Sequence, residues 1–118
     1  MAAANGLSAQ QCVGLKVAKL PSLPFYAVPT TAGTGSEVTL AAVISDNVTH
    51  EKLIVADPRI IPTAAALDPG IMRGLPPHIT AATGMDALTH AIESYINTWD
   101  TDECLHYGRA ATRLILNN

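Results

Sequence analysis

Apolar positions change their spacing along the chain near residue 75. Before that point they come in short runs rich in Val, Ile and Ala: FYAV at 25–28, VTLAAVI at 38–44, KLIVAD at 52–57 and TAAALD at 63–68. Turn formers at Thr30 to Ser36, Asp46-Asn47 and Asp57-Pro58 separate them, which predicts three or four short strands. The last run stays open between strand and helix, because alanine favours helix and TAAAL is too short for a period to decide.

Beyond Leu75 the period is helical. Pro76-Pro77 suits a helix start, since proline presets φ and its missing N–H is not needed in the first turn. Met85, Leu88, Ile92, Tyr95 and Trp99 then trace one stripe, so a helix with that face turned inward is expected. A second helix follows. Asp100 or Thr101 can cap it, Asp102 and Glu103 complement its positive end, and Leu105, Ala110, Leu114 and Ile115 supply apolar surface. AKLPSLP at 18–24 reads as a connecting loop, and no repeat or low-complexity segment interrupts the pattern.

Composition narrows this picture to a globular chain. Of 118 residues 48% are apolar and 14% charged, enough for one small core or two incomplete halves. The formal charge of −3 and the lack of any Lys/Arg run argue against nucleic acid or an anionic membrane as partner. Cys12 and Cys104 form no Cys-x-x-Cys pair, so neither a disulfide framework nor a thiolate metal site is indicated, and a reducing cytoplasm is expected. The N-terminal residues lack the cationic flank and apolar segment of a signal peptide, and no run approaches the roughly 20 apolar residues of a membrane span.

Two stretches carry candidate chemistry. In PTTAGTGSEV, residues 29–38, glycines let backbone N–H groups approach a ligand while threonine and serine hydroxyls can donate to phosphate oxygens. The stretch matches neither a P-loop nor a Gly-x-Gly-x-x-Gly turn, so a plain Gly/Thr turn stands beside the nucleotide reading. In GMDALTHAIESY, Asp86 and His90 lie four apart and stack on one helix face. A carboxylate oxygen and an imidazole nitrogen suit Fe(II), Zn or Mn. Glu93 and Asn97 continue that line, which serves equally as a solvated face, and two ligands are fewer than the three of a usual catalytic site. His50, His78 and His106 read as surface histidines, and Lys52 as either an exposed charge, the reading favoured from the residue alone, or a cation facing a cofactor's phosphate or ribose.

Taken in order, PTTAGTGSEV, EKLIVADP, ALDP and LPPHITAATGMDALTHAIESY resemble the central segment of the iron-containing alcohol dehydrogenase family, over about residues 24–118. The resemblance implies a dehydroquinate synthase-like architecture of two domains. Residues 1–74 would be the C-terminal portion of an α/β dinucleotide-binding domain, and residues 75–118 the first helices of an all-helical metal-binding domain. It further implies that Thr30, Thr31, Ala32, Gly33 and Thr34 lie against NAD or NADP, that Lys52 and Ile71 face the cofactor, and that Asp86 and His90 are the first two ligands of Fe(II), with Zn the alternative.

The implied reaction is hydride transfer between a primary or secondary alcohol, or its aldehyde or ketone, and the nicotinamide. The implied full-length form is a cytoplasmic homo-oligomer acting on a small molecule. No residue is assigned as general base. Relatives carry a Gly-rich pyrophosphate loop before this segment and two further metal-binding histidines after it, so the chain is expected to be a central piece of such an enzyme. A zinc-using relative of the glycerol dehydrogenase side and an inactive truncated chain or interaction module are the competing readings.

Overall fold

The computed structural model describes residues 1–17, 19–99 and 101–118. The chain divides into two compact units, residues 1–29 with 36–67, and residues 30–35 with 68–118.

In the first unit the apolar runs become strands, each shorter than its run. β1 (Gly14–Leu15), β3 (Ala41–Ser45) and β4 (Lys52–Ala56) form one sheet in the order β1-β4-β3. β3 and β4 are antiparallel, in register from Ala41 opposite Ala56 to Ser45 opposite Lys52, and β1 runs parallel to β4. β2 (Tyr26–Ala27) pairs in parallel with β5 (Ala64–Ala65), so the ambiguous alanine run is a strand. The β3–β4 connection is shaped by Asp46, whose Oδ1 accepts from the backbone N–H groups of Val48 at 2.8 Å and Thr49 at 2.9 Å. Those two N–H groups, Thr49 foremost, lower the Asp46 pKa.

Polar groups hold much of this unit. Asn5 ends the short helix α1 (Ala2–Asn5); its Oδ1 accepts from the N–H groups of Lys19 and Leu20, and its Nδ2 donates to the carbonyls of Met1 and Leu20. Cys12, Val55 and Ala56 are buried, and directly after them Asp57 is 1% exposed. Arg59 donates Nε to Oδ1 of Asp57 at 2.8 Å and Nη2 to Oδ2 at 2.6 Å, and its backbone N–H donates to Oδ1 at 2.9 Å. A carboxylate that is both capped and forked by one arginine stays ionised when buried. Its pKa falls from 3.8 to about 2, chiefly through the Arg59 side-chain bonds.

The second unit is helical: α2 (Pro69–Met72), α3 (Pro77–Ile96) and α4 (Asp102–Leu116). Asp68 caps α2 by accepting from the Gly70 N–H at 2.8 Å, with Pro69 next, just as Asp57 precedes Pro58. α3 begins at the expected proline pair, with Pro76 extended at ψ 141 as its cap. Thr101 caps α4, its Oγ1 accepting from the Cys104 N–H at 3.1 Å; Asp100, the other cap candidate, lies outside the described residues.

The expected inward stripe of α3 is not its buried face. Met85 is 62% and Trp99 91% exposed, Ile92 and Tyr95 are also exposed, and of the stripe only Leu88 is half-buried. Ala91 and Gly108 are buried instead, and a side chain built at Gly108 would strike the Ser94 hydroxyl and come within 3.2 Å of the Ala91 carbonyl oxygen. The two helices meet through small residues because backbones approach closely only where side chains are small. A helical period names an apolar face without naming the neighbour that contacts it. Among the described residues no helix is long and apolar enough to cross a membrane.

Candidate functional site

The threonine stretch leaves the first unit and packs within the helical one. Gly33 explains how. A Cβ built on it would fall on the carbonyl oxygen of Thr83 in α3, so only glycine lets the loop lie this close to the helix. Thr83 is itself held, its Oγ1 donating to the Ile79 carbonyl at 2.9 Å, and Gly35 turns the chain out of the loop at φ 61. Thr31 and Gly33 are half-buried, while Thr30, Ala32 and Thr34 are exposed.

Asp86 and His90 lie on the same helix, three and seven residues beyond Thr83. Their Oδ1 and Nε2 atoms are 3.9 Å apart, with the side chains 44% and 52% exposed. Separation and access suit two donors to one divalent ion, one oxygen and one nitrogen. Among the described residues no third His, Cys, Asp or Glu joins them. Asn97 is occupied elsewhere: its Nδ2 donates to the Ser94 carbonyl at 3.0 Å and its Oδ1 accepts from the Trp99 N–H at 2.7 Å, closing the end of α3.

Of the other candidates, Ile71 sits in α2 of the same unit and is exposed. Lys52 opens β4 and belongs to the other unit, where it is exposed opposite Ser45. Thr30 to Thr34, Ile71, Asp86 and His90 are therefore members of one unit, and Lys52 is not. Thr83, the floor of the loop, is a residue that sequence reasoning passed over, since a threonine in mid-helix carries no signal of its own. Asp57 reads from sequence only as half of an Asp-Pro turn, although Asp-Pro with an arginine next is also a readable cap.

Comparison with known proteins bears on what this arrangement belongs to. The chain is 48% identical to the lactaldehyde reductase of Escherichia coli (strain K12) over 95 residues, which is 79% of this chain and 25% of that protein. Its fold superposes on the crystal structure of a 1,3-propanediol oxidoreductase with TM-score 0.92 and 40% identity, covering 99% of this chain and 31% of the other. The sulfoacetaldehyde reductase of Bifidobacterium kashiwanohense, solved in complex with NAD+, superposes with TM-score 0.75 and 39% identity over 79% of this chain and 25% of its own. The chain thus spans about a quarter of the length of the curated relative it matches here. Residues 1–69 match the profile described as iron-containing alcohol dehydrogenase, and with most of the chain inside that match, it belongs to the iron-containing alcohol dehydrogenase family.

Proposed function

We propose that this chain supplies the cofactor loop and the first metal ligands of an NAD(P)-dependent alcohol dehydrogenase, which interconverts a primary or secondary alcohol with its aldehyde or ketone. The observation that carries the reading is the seat of Gly33 on Thr83, which sets the threonine loop on the very helix that bears Asp86 and His90. Three residues of α3 advance about 4.5 Å, so a ligand in the loop and an ion on the pair would be near neighbours.

Within this reading the chain's residues bind and orient. Thr30, Thr31 and Thr34 offer hydroxyl and backbone donors to the dinucleotide, and Gly33 contributes by leaving space. Ile71 adds apolar surface from α2 of the same unit. Asp86 donates an oxygen and His90, neutral, a nitrogen to the ion. When bound, a divalent ion such as Fe(II) or Zn supplies Lewis-acid polarisation of the substrate oxygen, and the nicotinamide supplies the hydride chemistry. No side chain of this chain is assigned as general base. The same reading treats residues 1–74 as part of a dinucleotide domain and residues 75–118 as the start of a helical metal domain.

Titration with NADH, followed by its fluorescence, tests the loop, and saturable micromolar binding is expected. No binding would remove the dehydrogenase reading and leave the interaction module. Metal analysis of Asp86→Ala tests the pair: metal affinity should fall by more than the roughly tenfold that loss of a mere outer-shell partner costs. Unchanged metal content would show that Asp86 is no ligand.

A further inference from the structure

Helix α3 carries the candidate ion pair and touches the candidate dinucleotide loop, so the charges at the two positions are not independent. The loop rests on α3 at Thr83. Asp86 follows one helical step of about 4.5 Å later, with His90 a further turn along the same face. A dinucleotide is anionic through its phosphates, and the bare Asp86 carboxylate would repel it. An ion of charge two on the pair reverses that local sign. The Debye length is about 8 Å at physiological ionic strength, so charges held within one or two helical turns of each other are only partly screened.

We propose that the divalent ion and the dinucleotide bind this chain cooperatively, because the ion turns Asp86 from a repulsive neighbour of the loop into part of an attractive one. The inference rests on the functional reading above. Linkage makes it reciprocal: the factor by which the ion raises dinucleotide affinity equals the factor by which the dinucleotide raises ion affinity. The direct contact of Gly33 with Thr83 is what keeps the two positions close.

The test titrates the full chain with NADH in the presence and absence of saturating Zn2+, and with Zn2+ in the presence and absence of saturating NADH. A factor of about five is expected in both directions, the lower end of measured couplings, shrinking toward one in 1 M salt, where the Debye length is about 3 Å. Without Zn2+, Asp86→Asn should bind NADH about twofold more tightly than the unaltered chain, since it removes the repelling charge, and its NADH affinity should no longer respond to Zn2+. Gly33→Ala, which forces the loop off Thr83 and weakens NADH binding itself, should leave the remaining NADH affinity insensitive to Zn2+ while keeping the ion's own affinity. If both ligands bind the unaltered chain and the factors are one, the coupling is overturned and the functional reading stands. If neither ligand binds, both are overturned. A Zn2+ response that persists in Asp86→Asn would come from direct pairing of ion and dinucleotide, and full coupling in Gly33→Ala would remove the Thr83 contact as its basis; either result overturns the proposal.

Discussion

The two units are closed by opposite means. The sheet unit closes around a side chain that is present: Asp57, buried and held by three hydrogen bonds from Arg59 at the end of β4. The helical unit closes around side chains that are missing, at Gly108 against Ser94 and at Gly33 against Thr83. In the first, directional bonds compensate for burying a charge; in the second, contact depends on unfilled volume. A polar lock responds to pH, whereas a steric seam responds to size.

The steepest way to break the comparison is Gly108→Val. Adding a branched side chain where the Ser94 hydroxyl already sits should part α3 from α4, destabilising the helical unit by about 1–3 kcal/mol, as overpacking does. Chemical unfolding followed by helical circular dichroism would read this as a lower midpoint. An unchanged midpoint would mean that the seam does not hold the helices together.

Asp57→Asn attacks the other unit. Because the folded pKa of Asp57 lies at about 2, below its ordinary 3.8, its contribution is complete above about pH 4 and is lost as pH falls toward 2. The variant should unfold more readily at neutral pH and show a flatter loss of stability between pH 4 and 2. An acid-unfolding profile that keeps its slope would assign the acid sensitivity to other carboxylates.

The smallest effect is expected at Met85→Gln, on the apolar stripe that α3 exposes. Since that side chain is mostly in solvent, thermal unfolding of the chain should move by no more than about 0.5 kcal/mol. A loss of 2 kcal/mol or more, the cost of emptying a core site, would show that the stripe is buried in solution.

These contrasts explain how far the sequence could be read. Val- and Ile-rich runs located β3 and β4, Pro76-Pro77 located the start of α3, and Thr101 located the cap of α4, because each is local chemistry. The two residues of β1 were missed: Gly14–Leu15 is extended by pairing with β4 and has no strand pattern of its own. The buried face of α3 was misread because large apolar residues announce themselves in a periodic pattern, while Ala91 and Gly108 matter by being small. Asp86 and His90 were legible as a pair from their spacing, and the threonine loop from its composition. That the loop belongs with the helices was not legible, since the contact is a glycine against a backbone carbonyl far along the chain.

The seat of Gly33 on Thr83 also bears on inheritance. Apart from residues 30–35, the chain's contacts divide after Leu67, the natural joint at which two homologous genes could exchange halves. An exchange there would pair the threonine loop of one parent with α3 of the other. Offspring with any side chain at position 33 would meet the carbonyl of residue 83, so the joint that looks cleanest along the chain divides partners that have to be inherited together.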